Sequence, residues 1–155
     1  QQLEIILPGD PTNSEKAKIF EETKIEGFFL SKFTDEVRDT INKLRQRGDI
    51  AGIASNNFQE LIDKFVENEK LDFDIVLGFR DGFEKGKAHF DYVKEKFGLR
   101  KEDMTFVGDS LKDAEKAFSY GISFVGICGT FKREDFLKIR SDIVTINSIK
   151  ELLDL

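Results

Sequence analysis

A chain of 155 residues with a formal net charge of -6 and a pI near 5.0 offers no broad basic face of the kind with which nucleic-acid binders neutralise phosphates. Its single cysteine, Cys128, excludes an internal disulfide, and no apolar run reaches the roughly 20 residues that span a bilayer. The opening Gln1-Gln2-Leu3-Glu4 lacks the basic stretch of a signal peptide, so the sequence predicts one cytoplasmic domain over residues 1–155, with 16 Phe to fill its core.

Short apolar runs alternate with helix-period segments, the pattern of βα units around a parallel sheet. The first run, Leu3 to Leu7, leads into a segment from Pro8 to Phe33 that reads as a loop, a short helix near Glu15 to Glu22 and a second loop. A helix then starts at Thr34, with Val37, Ile41 and Leu44 on one face and Gly48 placed at its C-cap. The second strand, Ile50 to Ala54, delivers Ser55, Asn56 and Asn57 to the start of a helix, where Asn57 and Glu60 read as a capping box ahead of Leu61, Ile62, Phe65 and Val66. A hydroxyl and backbone N–H groups at a helix start can cradle a phosphate; they can equally do no more than end the strand and cap the helix.

The third strand, Asp74 to Leu77, is followed by Phe83-Glu84-Lys85-Gly86-Lys87-Ala88-His89-Phe90 and a helix bearing Phe90, Val93 and Phe97, closed by Gly98. A cation at a helix N-terminus is unfavourable unless an anion faces it, which makes Lys85, with Lys87 as the alternative, a candidate to meet a phosphate; solvated charge is the plainer reading. His89, the one histidine, is expected to be a surface or packing residue rather than a base.

Met104 to Val107 forms the next strand and runs into Gly108-Asp109-Ser110-Leu111-Lys112-Asp113. Open α/β sheets bind ligands beyond the C-terminal ends of their strands, and two carboxylates four residues apart there can share a hard cation such as Mg²⁺, directly or through water. A capping box with Ser110 as N-cap explains Asp113 structurally and is compatible with a metal role, but it leaves Asp109 unexplained. Gly121 ends the helix that follows, Ile122 to Cys128 and Ile143 to Ile146 complete a count of six strands with Cys128 as a core residue, and Asn147 precedes an amphipathic turn, Ile149 to Leu153. The alternation predicts an α/β fold, a parallel sheet flanked by helices.

In chain order, the strand ending in Ser55, the lysine before a helix at Lys85 and the Gly108-Asp109-Ser110-x-x-Asp113 run resemble motifs two, three and four of the haloacid dehalogenase superfamily. Gly98, the Val125-Gly126-Ile127-Cys128-Gly129-Thr130-Phe131 segment and the closing Ser141 to Leu152 extend the resemblance over essentially the whole chain. The resemblance implies a three-layer, doubly wound, Rossmann-like parallel sheet of five or six strands with the first strand beside that of motif four, Mg²⁺ held by Asp10, Asp109 and Asp113, and phosphate bound by Ser55, Asn56 and Lys85. The implied reaction is hydrolysis of a phosphate monoester, on a small molecule or the phosphate end of a larger substrate, through an aspartyl phosphate.

Motif one departs from the family's DxDxT pattern, since this chain offers Pro8-Gly9-Asp10-Pro11-Thr12. If the strand ends at Leu7, Pro8 takes the nucleophile position, Asp10 the acid/base position and Thr12 the last, which implies a binding or regulatory relative without covalent catalysis. If Asp10 is the nucleophile, Thr12 replaces the acid/base, as in the DxTxT form of phosphate-transferring ion pumps. By family spacing the motif-three lysine falls at Glu84, one residue from Lys85 and three from Lys87, and Lys85 is favoured because Gly86 lets the neighbouring backbone approach a ligand. Only 45 positions separate Asp10 from Ser55 and 30 separate Ser55 from Lys85, which leaves no room for a large cap and implies an open site.

Overall fold

In a computed structural model the chain divides into two units, residues 1–33 and 34–155. The described residues are 31–155, preceded by Pro11, Thr12, Glu15, Gly27 and Leu30; the predicted first strand, Pro8 and Asp10 lie outside them. In the first unit Pro11 and Thr12 make an exposed turn, Glu15, Gly27 and Leu30 are helical, and Ser31 folds back so that its N–H and its hydroxyl both donate to the Gly27 carbonyl (3.2 and 3.0 Å).

The second unit opens at Thr34, whose hydroxyl accepts the Val37 N–H at 3.3 Å and so caps α1, Asp35–Gln46. Thereafter strands and helices alternate: β1 (Gly52–Phe58), α2 (Gln59–Glu69), β2 (Ile75–Phe79), α3 (Lys87–Phe97), β3 (Thr105–Gly108), α4 (Leu111–Tyr120), β4 (Ser123–Ile127), α5 (Arg133–Leu137) and β5 (Val144–Ile146), with a closing 3₁₀ turn, Ile149–Asp154. Among the described residues the named strands pair in parallel, β1 with β2 and β3-β4-β5 in that order, as connections through helices require. Among the described residues five of the six predicted strands are therefore present, and none of the helices is long and apolar enough to cross a membrane.

Boundaries moved where a tertiary contact overrode the local signal. β1 runs on past Ala54: its register with β2 holds from Gly52↔Ile75 to Ala54↔Leu77, breaks, and resumes at Phe58↔Phe79, where the two rings meet edge-on at 5.6 Å. Asn57 is thus a strand residue, the N-cap of α2 is Phe58, and the expected Asn57–Glu60 capping box does not form. Gly98 and Gly121 are left-handed C-caps as expected, whereas Gly48 lies one residue beyond the Arg47 cap of α1. Cys128 falls just past β4 and is half-buried rather than a core strand residue; its N–H donates to the Ile146 carbonyl at 2.8 Å.

Within the second unit the first turn of α3 touches both β2 and β3. Phe90 packs against Phe106 of β3 (ring centroids 5.1 Å apart) within a core that also holds Met104, Ala114, Ala117, Ile122, Phe124 and Phe136, while His89, next in line, turns to β2. Phe136 is fully buried because Gly126 of β4 has no side chain; a Cβ there would come within 3.2 Å of its ring. The closing turn is tied to α1, since Ser148 donates its hydroxyl proton to Glu36 at 2.7 Å and Arg47 donates to the Leu153 carbonyl at 3.1 Å.

At the N-terminal ends of β1 and β2, Asp74 gathers three donors: the Ala51 N–H (2.9 Å) and the Arg45 guanidinium through Nη2 (3.1 Å) and Nε (3.3 Å). The Ala51 N–H, with Arg45 behind it, holds this carboxyl below the ordinary aspartate range despite some burial. Asp74→Asn is expected to cost about 1–3 kcal/mol in urea unfolding at neutral pH. Because the folded-state pKa is depressed, wild type keeps that advantage above the unfolded value and loses it as pH falls below about 4. A wild-type advantage that persists unchanged at pH 2 would contradict the assignment.

Candidate functional site

The run from Gly108 to Asp113 carries the most specific chemistry in the sequence, and its fold follows from two local constraints. Ser110 caps α4 by accepting the Asp113 N–H on its hydroxyl at 3.2 Å. Gly108 leaves room for the Asp113 side chain to lie against the strand end: a Cβ at 108 would sit 2.8 Å from Asp113 Cβ and 3.0 Å from Oδ2. The Asp113 carboxylate does not return to the cap; it faces Lys85, with Nζ 2.8 Å from Oδ1 and the two side chains only 16% and 5% exposed. The Phe106 ring lies 6.0 Å from the same ammonium.

Asp109, one residue past β3, is exposed. The two carboxylates are therefore unlike: Asp109 faces solvent and Asp113 is buried with a cation. As a donor set for a hard, oxygen-seeking ion that takes one or two carboxylates and keeps several waters, they could hold Mg²⁺, and Asp109 is the one of the two that solvent reaches. No group of three or more His, Cys, Asp or Glu side chains gathers among the described residues.

Lys85 and Lys87 have separate surroundings. Lys87 is 80% exposed on α3 and pairs with Asp91 one turn on, whose carboxyl is held below its ordinary range by Lys87 first and by the Tyr120 hydroxyl second. Tyr120 in turn is pushed up to about 12, by burial and then by Asp91. Lys85 lies just before the helix, and its neighbour Gly86 adopts φ 129°, ψ -134°, a conformation for glycine alone. Sequence reasoning missed Lys116: its Nζ donates to the Lys85 carbonyl at 2.8 Å, and its stem covers Gly86 where a Cβ would lie 3.4 Å away. Asp113 and Lys116 stand three residues apart on one face of α4, so a single helix face grips Lys85 by side chain and by backbone.

Ser55 is half-buried in β1, Asn56 beside it is exposed, and the Ser55 Oγ accepts the Asn57 N–H at 3.0 Å, which leaves the hydroxyl proton able to donate elsewhere. Thr12 is an exposed turn residue of the first unit. His89 is wholly buried, which makes it a packing rather than a surface residue.

Comparison with known proteins gives a consistent result. Residues 6–127 match the haloacid dehalogenase-like hydrolase family. Phosphoglycolate phosphatase of Shigella boydii is 28% identical over 141 residues, covering 88% of this chain and 54% of the relative, and that of Aliivibrio fischeri is 28% identical over 124 residues, covering 77% and 55%. The chain spans about half the length of the curated relatives it matches. A haloacid dehalogenase-like family hydrolase from Streptococcus pneumoniae superposes with a TM-score of 0.79 at 18% identity, covering 97% of this chain and 72% of that one. A predicted phosphatase from Clostridium acetobutylicum gives 0.77 at 21%, covering 99% and 76%, and these two likenesses show the shared fold.

Breaking a buried pair strands a charge, whereas replacing both partners does not. Lys85→Met is expected to lower stability by about 3 kcal/mol, and the double variant Lys85→Met with Asp113→Leu to recover most of that loss in urea unfolding. Equal losses in the single and double variants would mean that the pair is not energetically coupled.

Proposed function

The chain belongs to the haloacid dehalogenase-like hydrolase family, and from that premise we propose that it is a Mg²⁺-dependent phosphatase acting on a phosphate monoester. The single observation that carries this reading is the pairing of buried Lys85 with Asp113, four residues after the exposed Asp109 that follows β3. That arrangement offers a cation and a carboxylate side by side at the strand end where ligands of such sheets bind.

Asp10, Asp109 and Asp113 are the residues that would hold Mg²⁺, which when bound offsets the charge of the phosphoryl oxygens. In the proposed reaction a carboxylate oxygen of Asp10 attacks phosphorus, the bond to the ester oxygen breaks, and the leaving alkoxide takes up a proton from water, which the open site admits. Water then attacks the aspartyl phosphate, restoring the carboxylate and releasing inorganic phosphate. Ser55 donates its hydroxyl proton, and Asn56 its backbone N–H, to the phosphoryl oxygens. Lys85 balances their charge while Asp113 holds its ammonium in place, and Thr12 stands where the family has its acid/base. The short spacings from Asp10 to Ser55 and from Ser55 to Lys85 favour an open site without a large cap.

The test is a panel of phosphate esters, with phosphoglycolate included because matched relatives bear its name, assayed with Mg²⁺ and with chelator. Turnover should require Mg²⁺, vanish in Asp10→Asn, and fall about 10²-fold in Ser55→Ala. Turnover that survives Asp10→Asn would refute the covalent route, and no turnover on any ester with Mg²⁺ present would refute the phosphatase reading.

A further inference from the structure

His89 plays no part in the reaction above, yet it is fully buried. Its Nε2 lies 3.1 Å from the Gly78 carbonyl; a carbonyl only accepts, so Nε2 carries the proton and Nδ1 is a bare acceptor that makes no hydrogen bond. Burial, with Arg80 and Lys116 adding to it, keeps the ring's pKa below the ordinary histidine value against the pull of the Gly78 and Phe83 carbonyls. The Phe83 ring packs on it at 4.6 Å. A phenylalanine would fill this space without an orphan nitrogen, so the contact that distinguishes histidine here is the bond to Gly78.

The other half of Gly78 is taken from α2. Gln59 Oε1 accepts the Gly78 N–H at 2.7 Å, and its Nε2 donates to the Val76 carbonyl (3.1 Å) and to Asp63 (2.8 Å). Position 78 admits no side chain, because a Cβ there would lie 2.5 Å from Gln59 Cα, 2.7 Å from its N and 2.9 Å from the Asn57 carbonyl oxygen. One residue of β2 therefore pins the start of α2 and the start of α3. Ser55 lies four residues before Gln59, and Lys85 four before His89.

We infer that Gln59 and His89 are positioning residues which, through the backbone of Gly78, set the spacing between Ser55 and Lys85. The role rests on the phosphatase reading, in which these two groups meet the same phosphoryl oxygens. The clamp itself is a property of the fold and is tested separately.

The test uses the full chain with inorganic phosphate as probe, followed by titration and by the backbone amide resonances of Ser55 and Lys85. His89→Phe keeps the ring and removes the donor, His89→Gln keeps a donor, and Gln59→Met keeps length and removes all three amide contacts, two of them to β2. Each single loss should weaken phosphate binding about fivefold, as for one hydrogen bond, and His89→Gln should restore most of it. The effects should cross between loops, the Gln59 variant shifting the Lys85 amide and the His89 variants the Ser55 amide, with the double variant less than additive. Folded variants that move only their own loop and bind phosphate as wild type does would overturn the inference. Should His89→Phe not fold, Gln59→Met carries the same test. Wild-type protein that binds no phosphate would count against the proposed function, while the crossed amide shifts would still decide the clamp.

Discussion

A lysine ammonium and an aspartate carboxylate held 2.8 Å apart, largely out of water, set the terms for everything around them. Two such charges are tolerated in that position only together, because removing either leaves the other without solvent or counter-ion. The surroundings read as the means of keeping them together. Gly108 opens the space that Asp113 enters, Ser110 fixes the helix turn that carries it, and Lys116 holds the backbone of Lys85 from the same helix face. The result is asymmetric, with one carboxylate of the run committed to a cation and the other, Asp109, exposed.

The second unit is pinned at both ends of its first strand pair. Asp74 ties Ala51 and Arg45 at the N-terminal ends of β1 and β2, and Gly78 receives Gln59 and His89 near the C-terminal end of β2. In each case a short polar group replaces what an ordinary loop would leave to water. The two pins differ in character. The first is a charged cluster reachable by solvent and so open to pH, whereas the second reaches Gly78 through uncharged groups, a half-buried glutamine amide and a buried imidazole, and is therefore sensitive to shape.

Much of this was legible in the sequence where local signals and tertiary demands coincide. The strand before Asp109, the Ser110 cap and the C-caps at Gly98 and Gly121 all appear where periodicity and capping chemistry placed them, and the family that the motifs resembled is the one whose model matches. The Asn57–Glu60 box did not form because β1 continues through Asn57 to Phe58, which pairs with Phe79 in the sheet, so the helix starts one residue later than its capping signal. Lys85 could not be separated from Lys87 by spacing, since the difference between them lies in Asp113 and Asp91, which other elements or later turns supply. Lys116 and Gln59 left no mark at all, because a lysine or glutamine bonded to a backbone carbonyl looks in sequence like any solvated side chain.

One feature of α3 bears on how firmly its orientation is set. His89 and Phe90 are neighbours, yet one docks on β2 and the other on β3, so a single helical turn touches both strands. Rotating that turn about its axis would break both contacts together, because adjacent positions on a helix point about 100° apart. Positions 89 and 90 therefore act as a register mark that fixes which face α3 turns to the strands, and with it the direction in which the chain leaves Gly86.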